Sequence, residues 1–180
     1  MKSKRLLQVT AALVILVSGL YLLLLPRRGK VMASWQTANA SFKMGVTAYS
    51  ETPSLPGLGG AYYVFQSATV GSDKWREVLT FRHDAPVEIP RNQVRFVNDQ
   101  VGYVFMGWMY GVTTDAGATW SVWNAQDDLL DWECCNYNLI QDVSITPDGI
   151  GTMRLKPIPQ RRGEVPELHT KDYGRHWSPA

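Results

Sequence analysis

Residues able to do acid–base, nucleophilic or metal chemistry are concentrated in a few places of this 180-residue chain. The densest is Thr113-Thr114-Asp115-Ala116-Gly117-Ala118-Thr119-Trp120, which sets a carboxylate, three hydroxyls and an indole side by side. A second is the acidic run Asp127, Asp128, Asp131 and Glu133, which surrounds Trp132 and runs into Cys134-Cys135. The three histidines, His83, His169 and His176, are scattered.

None of these matches a catalytic template. The chain has no G-x-S-x-G elbow, no H-E-x-x-H pair and no phosphate-binding G-x-x-x-x-G-K-[ST] loop. The acidic run lacks the ligand spacing of an EF-hand, and reads as a solvated face, a protein-binding patch or a cation site. No His or Cys stands at finger spacing from the cysteine pair, which argues against zinc. Adjacent cysteines bond to each other only through a strained ring, so Cys134 and Cys135 are reduced thiols, a vicinal disulfide or an intermolecular pair. His83-Asp84 reads as a solvated turn. No catalytic, metal or cofactor-binding residue is assigned.

The 113–120 stretch has a second explanation in turn chemistry. Asp and Thr side chains accept hydrogen bonds from backbone N–H groups a few residues on, glycine supplies a positive φ, and a tryptophan buries up to about 250 Å² against a sheet. The surrounding chain supports that explanation. From Ser41 to Tyr49, and from Ala61 onward, it reads as short β segments, among them "AYYVFQSATV", "KWREVLTFRH", "VGYVFMGWMYGVTT" and "NLIQDVSITP". Turn formers separate them at Gly71-Ser72-Asp73, Asn98-Asp99, Asp115-Ala116-Gly117 and Pro147-Asp148-Gly149. Only Ala125 to Glu133 has the makings of two helical turns, and Ser50 to Gly60 is a Pro- and Gly-rich loop.

The segments repeat. Val94 to Trp120 and Val143 to Trp177 both run V-x-[FI]-x-[NP]-D, then a glycine-containing strand, then Thr-x-Asp-x-Gly-x-x-Trp or its near copy. Asp115, Gly117, Thr119 and Trp120 of the first copy face Asp172, Gly174, His176 and Trp177 of the second. Gly71-Ser72-Asp73-Lys74-Trp75 is a degenerate third candidate, two residues short and without the central glycine.

This pattern resembles the Asp-box, or bacterial neuraminidase repeat, of sialidase propellers, sortilin-type receptors and propeller-shaped assembly factors. The resemblance covers Val94 to Trp177. It implies antiparallel sheets in propeller-like repeats, with the box residues structural and away from any active site. The arginine cluster and R-I-P signature of a sialidase are missing; Glu88-Ile89-Pro90-Arg91 has its arginine on the wrong side of the proline. About three repeats fit, whereas propellers generally need four or more blades to close. The expected domain (61–180) is therefore all-β, either an open, sandwich-like stack or a set of sheets whose edges another chain covers.

The amino-terminal end differs in kind. Leu6 to Leu25 contains no charge and is flanked by Lys2, Lys4 and Arg5 and by Arg27, Arg28 and Lys30. Twenty residues at about 1.5 Å each span a hydrocarbon core of about 30 Å. Arginines follow where a cleaved signal would have small residues. Residues 1–30 therefore read as a short cytoplasmic tail and transmembrane signal-anchor, and 31–60 as linker and first strand. The rest of the chain is expected outside the cytoplasm, in a periplasm for a Gram-negative cell. Removing 1–30 turns the net charge from +2 to −4, because all 16 acidic residues and only 12 of the 18 basic ones remain. Nucleic acid is an unsuitable partner for such a domain.

Function is thus expected from surfaces. Trp108, Tyr110, Trp123 and Trp132, with the acidic residues of 127–133, are the candidate partner-binding set, since exposed aromatics are enriched where proteins meet. The expectation is a membrane-anchored protein-binding module, an inhibitor or immunity protein against a secreted toxin or an assembly factor. The alternative is a carbohydrate binder or glycosidase-like protein using the aromatic surface. A reporter fused after Ala180 is expected to work only outside the cytoplasm; activity confined to the cytoplasm would reverse the orientation.

Overall fold

The computed structural model describes residues 27–52, 59–89, 91–125, 139–156 and 167–179. The described strands form three four-stranded antiparallel sheets, each a meander in chain order. The first holds β1 (Arg27–Ala38), β2 (Phe42–Thr52), β3 (Ala61–Thr69) and β4 (Arg76–His83). The second holds β5 (Val94–Phe96), β6 (Gly102–Met106), β7 (Met109–Thr113) and β8 (Ser121–Asn124). The third holds β9 (Ile140–Ile145), β10 (Gly151–Leu155), β11 (Glu167–Thr170) and β12 (Ser178–Pro179). The all-β expectation holds, and the described strands close neither a barrel nor a propeller. Among the described residues no helix is long and apolar enough to cross a membrane; the apolar run Leu6 to Leu25 lies outside them.

Two local differences from the sequence reading have physical causes. Residues expected as the end of the anchor segment (27–30) and as linker (31–38) form β1, which pairs with β2 from Arg27↔Thr52 to Ala38↔Lys43. β1 is an edge strand with most side chains in water, so it lacks the apolar alternation that marks a half-buried strand. Second, "VGYVFMGWMYGVTT" is a hairpin, turning at Gly107-Trp108. Gly107 has φ +60, and a Cβ there would stand 2.0 Å from the Phe81 ring, so only glycine makes this turn. Trp108 and Tyr110 consequently do not share a strand face. Ser178–Pro179 pairs with β11 and supplies the third sheet's outer strand.

The two-residue period of β6 and β7 organises the core. Val104 and Met106 point at the first sheet and join Phe42, Met44, Val46, Tyr63, Phe65, Leu79 and Phe81. Tyr103, Phe105, Tyr110 and Val112 point at the third sheet and join Ile140, Val143, Met153, Leu155 and Leu168. The middle sheet is thus covered on both faces, and every residue of β6 is buried. Arg95 stitches the second contact with bonds to Val143 O (2.7 Å) and Asp142 Oδ1 (2.8 Å), and Tyr103 Oη donates to Val143 O (3.0 Å).

The meander also sorts the connections. Turns between the first and second, and third and fourth, strands of each sheet lie at one end; the second-to-third connections and both sheet-to-sheet crossings lie at the other. The first end is called the turn end below, the second the crossing end.

Tyr110 is fully buried between the second and third sheets and donates its hydroxyl hydrogen to Tyr173 O at 2.9 Å. In urea unfolding, Tyr110→Ala should cost about 3–5 kcal/mol, as deletion of a buried aromatic does. Tyr110→Phe, which keeps the ring, should cost about 1 kcal/mol, the net value of a single hydrogen bond.

Candidate functional site

The two strongest sequence motifs occupy equivalent places, the loops joining the third and fourth strands of the second and third sheets. Their threonine–aspartate–glycine bonding is the same atom for atom. Thr113 Oγ1 donates to Asp115 Oδ1 (2.8 Å) and accepts from Gly117 N (2.9 Å). Thr170 Oγ1 donates to Asp172 Oδ1 (2.8 Å) and accepts from Gly174 N (2.9 Å). Asp115 also receives Thr119 N (2.8 Å) and Thr119 Oγ1 (2.5 Å). Asp172 receives His176 N (3.1 Å) and the His176 ring at Nδ1 (2.5 Å). A carboxylate only accepts, so His176 carries its proton on Nδ1 and replaces the threonine hydroxyl.

Backbone shape agrees. Ala116 and Gly117 have φ of 55 and 81, Tyr173 and Gly174 of 63 and 85. Each loop is also tied to the first turn of its own sheet, through Ala116 N to Gln100 O (2.8 Å) and Tyr173 N to Gly149 O (3.0 Å).

Each loop packs on the sheet that precedes it. Trp120 joins the first core cluster and donates Nε1–H to the buried Ser67 Oγ at 3.0 Å. Arg76 binds Gly117 O (2.6 Å) and Ala118 O (2.7 Å) from the first sheet. Trp177 sets its ring edge-on to Tyr110, centroids 5.4 Å apart, and Arg175 bonds to Thr114 Oγ1. Gly174 lies so close to Tyr110 that a Cβ would meet its hydroxyl at 2.5 Å. The candidate at 71–75 fills the corresponding place in the first sheet without this network. There Lys43 Nζ bonds to Ser72 O (2.6 Å) and sits 5.1 Å from the Trp75 ring centroid.

Both carboxylates therefore have structural partners. Desolvation pushes Asp115 up, but the hydrogen bonds from Thr119 and Thr113 outweigh it and hold the group below the ordinary aspartate range. Asp172 balances in the same way, desolvation being overcome by His176 and Thr170.

The candidate partner-binding residues separate. Tyr110 is core and presents nothing to a partner. Trp108 is half-buried, its ring 4.8 Å from Phe81 in an edge-on contact. Trp123 is half-buried beside Trp177, centroids 6.5 Å apart. Asp127, Asp128, Asp131, Trp132, Glu133, Cys134 and Cys135 lie outside the described residues. Of the remaining histidines, His83 Nδ1 is held in a local turn by Ala85, and His169 Nε2 faces Glu167 Oε1 at 3.1 Å.

Two concavities were not legible in the sequence. The first, about 550 Å³, opens at the crossing end where all three sheets meet. Phe81, Met106 and Ile140 line it with apolar surface, one from each sheet, and Glu88, Arg91, Asn92 and Gln93 give it polar groups. Gln93 Oε1 is buried with no hydrogen-bond partner among the described residues. Ile140 N donates to Gly107 O (2.6 Å), clamping the third sheet's entry to the β6–β7 turn. The second concavity, about 540 Å³, is a groove along the first sheet that includes Ser34, Gln36, Thr47, Gln66 and Trp75. Gly45 stands in register between Gln36 and Gln66 and leaves the row without a side chain. Sequence spacing gives neither site, because the contributing residues are far apart along the chain or belong to three strands.

The Asp115 and Asp172 bonds generate a pH dependence with a definite sign. A carboxylate held lower in the folded state than in the unfolded one adds stability above the unfolded value, near about 4 for aspartate, and loses it as pH falls through the folded value. The melting temperature should therefore drop as pH is lowered from neutrality below that range. The variant Asp115→Asn/Asp172→Asn should be destabilised at pH 7 by about 1–3 kcal/mol per loop and should decline less on acidification. Parallel curves for the two proteins would show that these loops are not responsible.

Compared with known proteins, the chain matches no family model, and no curated protein matches it.

Proposed function

We propose that the protein is a membrane-anchored, exported binding module of propeller-like Asp-box repeats, whose partner is another protein held at the crossing end. The cleft carries this reading. It presents Val87, Ile89 and Leu139, with the buried Phe81, Met106 and Ile140 as its floor, beside the polar Glu88, Arg91, Asn92 and Gln93, and apolar centres with polar rims are the usual anatomy of protein contact sites. Gln93 Oε1 adds an acceptor that has no donor among the described residues and that a partner N–H would satisfy. The matching bonds of the 113–120 and 170–177 loops support Asp-box repeats as scaffold. An inhibitor or immunity protein facing a secreted toxin, and an assembly factor facing a client, both use such a site.

A second reading, carbohydrate binding, is favoured by the groove on the first sheet. Trp75 offers a ring, and Ser34, Gln36, Thr47 and Gln66 offer amides and hydroxyls. This differs from the aromatic surface expected around Trp108, Tyr110 and Trp123.

Glu88 and Arg91 are exposed, so Glu88→Lys/Arg91→Glu should leave the melting temperature unchanged while weakening capture of the protein partner by tenfold or more. Gln93→Met should keep or raise stability and also weaken capture, since removing an unsatisfied buried acceptor relieves about 1–3 kcal/mol. Reversal of Asp127, Asp128, Asp131 and Glu133 tests the acidic segment against the cleft. Capture unaffected by the cleft variants would remove the cleft as the site. On a glycan array, binding that disappears with Trp75→Ala would favour the carbohydrate reading.

A further inference from the structure

We infer that the crossing end of the first sheet seats on an anionic lipid surface through Arg27, Lys30, Val31 and Met32. The inference rests on the anchor reading of residues 6–25 and adds an orientation to it.

β1 opens at Arg27, one residue after the Leu6 to Leu25 run and Pro26. Arg27 pairs with Thr52 at the far end of β2 from the β1–β2 turn, so the chain enters the domain at the crossing end. Were 6–25 in the bilayer, the opening residues of β1 would lie at its surface, because a residue spans at most about 3.6 Å.

What β1 displays there suits that position. Its register slips on both sides of Val31, between Arg28↔Glu51 and Val31↔Tyr49 and between Val31↔Tyr49 and Ala33↔Ala48. Such bulges redirect side chains, and here the successive Val31 and Met32 are both in water, 58% and 44% exposed. Arg27 and Lys30 flank them, both exposed. Among the described residues neither side chain has a carboxylate partner, whereas Arg28 is taken by Glu77 (2.9 Å) and Thr80 (2.7 Å). Val87, also exposed, lies at the same end, held by Tyr63. Exposed apolar residues among unpaired cations fit a layer of anionic headgroups over hydrocarbon.

Charge decides against the opposite orientation. The turn end also exposes apolar side chains, Val70 and Ile150. But Asp73, Asp99, Asp115, Asp148 and Asp172 occupy five of its six turns and balance Lys43, Lys74, Arg76, Lys171 and Arg175, so the described residues of that end carry no net positive charge. Among the described residues of the crossing end Glu51 and Asp84 are bound by Arg82 and Glu167 by Arg154, leaving Glu88 against Arg27, Lys30, Arg91 and Lys156. The protein-binding cleft opens at that same end, so a partner is met beside the bilayer.

The test uses the full chain in mixed phosphatidylglycerol–phosphatidylcholine vesicles, with Cys134→Ser/Cys135→Ser as background. Nitroxide labels are placed at Met32→Cys, Val70→Cys and Ile150→Cys. The label at 32 should favour collision with oxygen over an aqueous nickel chelate, while those at 70 and 150 favour the chelate. Adding Arg27→Glu/Lys30→Glu should return the label at 32 to the aqueous pattern while the chain stays in the pellet. A label at 32 as open to the chelate as the one at 70 overturns the seating and leaves the anchor standing. Release of the chain by an alkaline carbonate wash defeats the anchor reading instead. In that case, co-sedimentation at neutral pH with the anionic vesicles, lowered at least tenfold by Arg27→Glu/Lys30→Glu, would sustain the seating alone, and no co-sedimentation would overturn it.

Discussion

Tyr110 is where the architecture converges. Its ring fills the space between the second and third sheets, Trp177 packs edge-on against it, and Gly174 approaches so closely that no Cβ fits between them. Its hydroxyl satisfies the carbonyl of Tyr173, a residue held at positive φ in the loop that caps the third sheet. Core packing, loop geometry and sheet stacking thus meet in one side chain. The dependence follows from the middle sheet's position: with partners on both faces, its central strand β6 is buried at every residue.

The loops at 113–120 and 170–177 are the repeated solution to one problem, turning the chain at a hairpin while fastening that turn to the sheet before it. Threonine and aspartate satisfy the loop's backbone N–H groups, two residues at positive φ reverse its direction, and tryptophan covers the neighbouring sheet. Replacement of Thr119 by His176 in the second copy preserves the pattern because both place a donor at the same carboxylate oxygen. The threonine and aspartate side chains of both loops are bonded within the loop. The crossing end differs: chain segments from all three sheets meet there around a cleft, and one amide oxygen has no donor among the described residues. Division of labour between the two ends follows from meander topology, which sends the short turns one way and the longer connections the other.

Much of the scaffold was legible residue by residue. Alternating apolar positions in "AYYVFQSATV" and the Asp-Gly and Asn-Asp turns gave the correct strands and reversals. Glycine and tryptophan spacing exposed the duplicated loop. β1 was not legible because an exposed edge strand carries no apolar period, and its pairing is imposed by β2. The Gly107-Trp108 reversal was missed because it interrupts a continuous apolar run, and its necessity comes from the Phe81 ring on another sheet. Trp108 and Tyr110 looked alike as surface aromatics; burial separates them, and burial is a property of the stack.

The sequence by itself determined the chemistry that acts over a few residues: hydroxyl and carboxylate caps, positive-φ turns, two-residue alternation, and the apolar run with its basic flanks. These are local because backbone sterics and nearest hydrogen bonds operate within about four residues. Tertiary structure alone decided which aromatics are core, that Phe81, Met106 and Ile140 share one cleft, and that the start of β1 lies at the same end as that cleft. Each of those depends on the order and direction in which three sheets stack, and stacking is set by the summed burial of side chains far apart in the chain.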